Sequence, residues 1–150
     1  MRFVTVLVDG WDTHNANFTT LQKTLLPGFD HGLSALFETL EQKGLLSTTS
    51  VLVTGEFGRT PKINSGAGRD HWARVMFALL AGAGAKKGVV TGQTDAHAAE
   101  PDGVGYTPED LAATFFHTLG IPPTTEYQTD AGRPITLVRD GRIIRDVTSS

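Results

Sequence analysis

Apolar positions fall into short unbroken runs, plus one long stretch of helical spacing. The first run, Arg2-Phe3-Val4-Thr5-Val6-Leu7-Val8, is β-rich, apolar on both faces and stopped by Asp9-Gly10. It predicts a buried strand, followed by the polar loop Trp11–Asn17. From Leu21 to Leu46 the apolar residues return at helical intervals, with Leu33, Leu36, Phe37, Leu40 and Leu45 near one face. Pro27-Gly28 interrupts this stretch, so the spacing predicts a helix over Phe29–Lys43 closed by Gly44. Thr49–Thr54 predicts a second buried strand, Val75–Ala81 a third, with a short helix as its alternative, and Val89–Thr91 a shorter strand. Thr107-Pro108-Glu109-Asp110 opens a helix with an N-cap threonine, a proline at the first position and an acid at the third. It runs over Pro108–Leu119 and is stopped by Gly120 and Pro122-Pro123. Asp140-Gly141, between the runs Arg133–Arg139 and Arg142–Val147, predicts a β-hairpin.

The order strand, helix, strand, strand, helix, hairpin predicts an α/β fold. We expect a mostly parallel sheet flanked by helices, with a C-terminal β-hairpin, in one domain over residues 1–150. In such sheets ligands sit beyond the carboxyl ends of the strands. Seventeen glycines and seven prolines add tight loops between these elements. A net charge of −3 gives no electrostatic case for nucleic acid, and no apolar run is long enough to span a bilayer. The absence of cysteine excludes disulfides, thiolate metal sites and a cysteine nucleophile.

The loops after the predicted strands concentrate the chemistry. Asp12 and His14 follow the first. Glu56, Arg59, Arg69, Asp70 and His71 follow the second. Carboxylate oxygen with imidazole nitrogen is the mixture that a divalent metal such as zinc or manganese takes. Arg59 and Arg69 could fork onto a tetrahedral oxyanion such as phosphate or sulfate. Glu56 ends an apolar strand, where an unpaired buried carboxylate costs several kcal/mol, so it is expected buried against a metal or against Arg59. Plainer readings stand beside these. Asp12-Thr13-His14 also reads as an Asx turn with a solvated histidine. Asp70-His71 reads either as a carboxylate supporting a ligand or as a surface turn. His31 and His117 read as ordinary partly buried helix residues, and His97 as structural, with lining of the site as its alternative.

Several words occur here in a fixed order: Gly10-Trp11-Asp12-Thr13-His14, Gly55-Glu56-Phe57-Gly58-Arg59-Thr60-Pro61 and Gly68-Arg69-Asp70-His71-Trp72, then Gly92-Gln93-Thr94-Asp95 and Ala99-Glu100-Pro101. With these words the chain resembles the C-terminal part of a bacterial family, domain of unknown function "fifteen-oh-one". That family is sulfatase-like and is placed in the alkaline phosphatase superfamily.

The resemblance implies a divalent metal: zinc, manganese or calcium. Asp12, His14 and His71 would stand at its first metal, and Glu56 where a second-metal aspartate sits. The Asp12–His14 spacing is shorter than usual, Glu56 replaces aspartate, and Phe57 replaces a neighbouring histidine. The superfamily's early aspartate and hydroxyl nucleophile would lie upstream of Met1, making the domain incomplete at its N-terminus. The implied function is a half-domain of a metallohydrolase of phosphate or sulfate esters, small-molecule or glycan, inactive on its own. The alternative is a non-catalytic binding or scaffold domain with a degenerate metal site. Unpaired strand edges would favour self-association. Relatives of this kind are often exported, yet the run to Val8 is too short for a signal peptide.

Overall fold

The computed structural model describes residues 2–149. Helix α1 spans Asn17–Thr20 and helix α2 spans Leu26–Gln42, joined by a π-helical turn at Leu21–Leu25. The Leu26 N–H reaches back five residues to the Leu21 carbonyl. This wide turn lets the helix continue where Pro27-Gly28 predicted a break. Pro27 falls in the first turn of α2, where its missing donor costs little. The C-terminus forms as its sequence predicts. Gly44, at φ 65°, donates to Glu41 O at 2.9 Å, and Leu45 donates to Leu40 O at 2.8 Å. Phe29, Leu33, Phe37 and Leu40 are half-buried along α2, and none of its residues is fully buried.

Eight short strands follow among the described residues: β1 Ser50–Thr54, β2 Gly58–Arg59, β3 His71–Trp72, β4 Ala78–Gly82, β5 Gln93–Thr94, β6 Pro101–Asp102, β7 Glu126–Gln128 and β8 Pro134–Thr136. They pair antiparallel as β1·β4, β2·β3, β5·β6 and β7·β8. The expected mostly parallel sheet flanked by helices is therefore not the architecture. The two longest strands face each other in opposite senses, with Leu52 opposite Leu80.

The run Arg2–Val8 forms no strand. Phe3 is 70% exposed and Leu7 83% exposed, and no ladder pairs with the run among the described residues. Its β-branched composition suits a pleated, covered surface, but a strand exists only where a neighbour takes its backbone groups. Val75–Ala81 is shifted into β4, and Val89–Thr91 carries no strand.

The hairpin predicted around Asp140-Gly141 is absent, because its second limb is drawn elsewhere. Arg142 N–H donates to Asp110 Oδ1 at 2.7 Å, and Ile144 N–H donates to Thr114 Oγ1 at 2.9 Å. Both acceptors belong to helix α3, Pro108–Thr118. The first limb supplies β8 instead, which pairs with β7 across the turn Thr129–Arg133.

Helix α3 forms as its capping signals predict. Thr107 Oγ1 accepts the Asp110 N–H at 3.2 Å, and Asp110 Oδ2 accepts the Thr107 N–H at 3.1 Å. The buried apolar side chains among the described residues collect here: Ala113 on α3, with Val138 and Ile144. The total accessible surface is 10764 Å², against roughly 7,400 Å² expected for a compact monomer of this mass. Burial is concentrated around α3, and much apolar surface elsewhere stays open. No helix among the described residues is long and apolar enough to cross a membrane.

Candidate metal centre

Two loops distant in sequence are held side by side by backbone bonds. Ala16 N–H donates to Gly66 O at 2.9 Å, Asn17 N–H to Ala67 O at 3.0 Å and Arg69 N–H to Thr13 O at 3.2 Å. Asn15 and Ala67 form an isolated antiparallel bridge. Beneath it Thr13 and Asn17 are buried and joined side chain to side chain. The loops approach so closely that a Cβ on Gly68 would lie 1.9 Å from the His14 carbonyl oxygen and 2.6 Å from Asn15 N. Glycine is required there by contact. We expect Gly68→Ala to destabilise the protein by about 1–3 kcal/mol, the usual cost of forced overpacking. Denaturant titration checks this, and an unchanged midpoint would show that the two loops are not locked together. A third segment joins through β2 and β3, which set Arg59 opposite His71. Thr60 N–H donates to Asp70 O at 2.8 Å.

This frame brings Asp12, His14 and His71 together, each offering one ligand atom within 4.8 Å of the others. Asp12 Oδ1 is the hub. It accepts from Arg59 at 2.6 Å and His71 Nε2 at 2.9 Å, and lies 3.0 Å from His14 Nε2. The two Nε2 atoms are 3.1 Å apart. Hydrogen bonding from His71 and then from Arg59 lowers the Asp12 pKa to about 2. Asp12 thus stays a carboxylate at any ordinary pH. The Phe57 ring packs 4.4 Å from the His71 ring, and the Arg59 guanidinium lies 5.8 Å from the Phe57 ring. The side chains of Asp12 and His71 are 64% and 51% exposed, so an ion can reach the site from solvent.

The strand-end rule did not build this site, because neither loop leaves a parallel strand. Glu56 lies outside the cluster. It is exposed, where burial was expected, because β1 ends at Thr54 and the following turn faces solvent. Its ion-pair partner is Arg59, at 3.8 Å. Arg69 is tied to its own loop, donating to Thr60 O at 2.6 Å and Pro61 O at 2.7 Å, with its guanidinium over Phe18. His31 and His97 are exposed, and neither they nor His117 joins the cluster.

Sequence reasoning passed over Asn64. Its amide donates to His14 O at 2.9 Å and to Asp70 Oδ1 at 3.1 Å, and its own oxygen accepts from Gly66 and Gly68 N–H. The available signal was an asparagine ahead of Ser65-Gly66-Ala67-Gly68, a common loop-shaping combination.

A family model described as "Protein of unknown function (DUF1501)" matches residues 1–148. No curated protein and no solved structure matches the chain.

Proposed function

The chain belongs to this family of unknown function, and we propose that it is the metal-binding part of a sulfatase-like hydrolase of phosphate or sulfate esters. The observation that carries the reading is the convergence of Asp12, His14 and His71 from two loops locked by backbone bonds. The donor set is one carboxylate oxygen and two imidazole nitrogens. That suits zinc or manganese, and disfavours calcium, which takes six to eight oxygen ligands. The resemblance of the motif words to a family read as sulfatase-like supports the ester class.

When bound, the metal supplies a Lewis acid for an ester oxygen. The chain's own residues do the rest. Asp12 holds the negative charge that draws a cation in. His14 and His71 would offer their Nε2 atoms beside it. Arg59 sits against the same carboxylate and can share its charge with an anionic ester oxygen. Phe57 backs His71 and Arg59 with an apolar face. Glu56 serves as a charge partner of Arg59 on the rim.

The hydroxyls beside the ligands are already engaged. Thr13 donates to Asn17, and Thr60 donates to Lys62 O at 2.8 Å while accepting the Asp70 N–H. The same observation favours a second reading, a binding domain that holds a metal and an anion without chemistry. Both readings are tested with the purified chain, zinc, and aryl phosphate or aryl sulfate. Zinc binding without meaningful turnover is the expected result. Robust turnover lost in His71→Ala would show that these residues form a complete catalytic site. Failure to bind zinc or manganese would end both readings.

A further inference from the structure

The cluster contains a second carboxylate, Asp70, which points at the far side of His14. His14 Nδ1 lies 2.7 Å from Asp70 Oδ1, while His14 Nε2 faces Asp12 and His71 at 3.0 and 3.1 Å. The His14 ring therefore lies between two carboxylates, and a neutral imidazole carries one proton to share between them. The two carboxylates are not equivalent. Asp12 is already offset by Arg59 at 2.6 Å and takes a further bond from His71. Asp70 faces no arginine or lysine among its bonds. Beyond His14, its side chain receives among the described residues only the neutral amide of Asn64, at 3.1 Å. The shorter contact and the less compensated charge both favour the proton on Nδ1.

We infer that Asp70, braced by Asn64, is a positioning residue that fixes the Nδ1–H tautomer of His14 and aims its Nε2 lone pair into the Asp12–His71 cluster. A histidine that ligates metal through one nitrogen typically donates the other N–H to such a carboxylate. Asp70 is itself held at both ends. Its N–H donates to Thr60 Oγ1 at 3.0 Å and its carbonyl accepts from Thr60 N–H at 2.8 Å, across the β2·β3 turn. Asn64 bonds the His14 carbonyl and Asp70 Oδ1 with one amide nitrogen, fixing the distance between backbone and brace. Rotation of the His14 ring would break the Asp70 contact. This inference rests on the proposed metal site but makes a claim that can be read without metal.

The test uses the full chain as wild type, Asp70→Ala, Asp70→Asn and Asn64→Ala. Long-range proton–nitrogen correlation spectra at pH 9, with chelator present, report which His14 nitrogen carries the proton. Competition titration with a chromophoric chelator reports zinc affinity in parallel. Wild type is expected to show Nδ1–H. Asp70→Ala should shift the proton toward Nε2 and weaken zinc binding by roughly 10- to 100-fold, the usual effect of losing such a partner. Asp70→Asn retains an oxygen that Asn64 keeps turned toward His14, so it should preserve the tautomer and recover part of the affinity. Asn64→Ala should loosen the same preference.

A wild-type His14 protonated on Nε2, or an unchanged tautomer in Asp70→Ala, would overturn the inference. If Asp70→Ala does not fold, the wild-type tautomer and the Asp70→Asn variant decide it. Wild-type protein that binds no zinc overturns the proposed function, while the metal-free tautomer still decides whether Asp70 orients His14.

Discussion

Zinc affinity should fall on the order of 100-fold or more in Asp12→Ala and in His71→Ala, exceeding the 10- to 100-fold typical of losing a residue that only supports a ligand. Asp12 Oδ1 touches Arg59, His71 and His14 together. Without it, the set loses its carboxylate ligand and the Arg59 guanidinium loses its counter-charge at 2.6 Å, so an approaching dication meets that cation more directly. Removing His71 leaves the carboxylate but takes one of two nitrogen donors from the set. The His31→Ala variant, an exposed change on α2 away from the cluster, should bind zinc as wild type does. Affinity should weaken in acid for the intact protein, because the ligand imidazoles must be unprotonated to bind. Wild-type affinity retained in His71→Ala would mean that the three residues are not the ligand set.

Replacing Asp110 by alanine should cost about 3 kcal/mol, because the variant loses at once the cap of α3 and the charge-assisted bonds that hold Arg142. Asp110 is 2% exposed. It accepts from Thr107 N–H at 3.1 Å, from Arg142 N–H at 2.7 Å and from the Arg142 guanidinium at 3.1 Å. One residue thus caps α3 and anchors the segment that lays Ile144 on it. For a domain of this length the loss corresponds to a fall in Tm of roughly 6–12 °C.

The dependence on pH follows from the direction of the Asp110 shift. Burial pushes its carboxyl pKa up, but bonds from Arg142 and Thr107 outweigh this, and the net shift is down from the ordinary 3.8. A depressed pKa contributes stability that is complete above 3.8 and is lost as pH falls through the lower folded value. The stability gap between wild type and Asp110→Ala should therefore narrow in that acid range. Arg142→Ala should lose less than Asp110→Ala, since its backbone N–H still reaches Asp110. Thermal melts at neutral and acid pH check both points. A melting temperature unmoved by Asp110→Ala would remove the anchor role.

The parts of this structure that were legible in the sequence are those encoded locally. The Thr107–Asp110 box and the Gly44 stop lie within a few residues of what they control, so their signals hold. Segments rich in β-formers at 49–54 and 75–81 did become strands, near those positions. Their pairing sense, antiparallel with Leu52 opposite Leu80, was not legible, because composition does not encode which segments meet or in which direction. Arg2–Val8 shows the same limit from the other side. Its sequence describes what it could bury, not whether a neighbour is there. Asp140-Gly141 carries a real turn signal, but Asp110, thirty residues away, takes the strand that would have closed the hairpin. The cluster of Asp12, His14 and His71 was legible as residue types in shared words. The brace of Asn64 and Asp70 depends on which side of an imidazole a carboxylate reaches, a fact of geometry alone.

The bridge between Asn15 and Ala67 closes a loop of about 50 residues before any ligand arrives. Holding the ends of so long a flexible loop together costs on the order of 4 kcal/mol of chain entropy. A metal bound to Asp12, His14 and His71 spans that same loop, yet need not meet this cost, because the backbone has already met it. Weakening the bridge returns the debt to the binding step. Affinity should then drop in variants such as Gly68→Ala even though no ligand atom has been touched, and it should drop further as temperature rises and the entropic share grows.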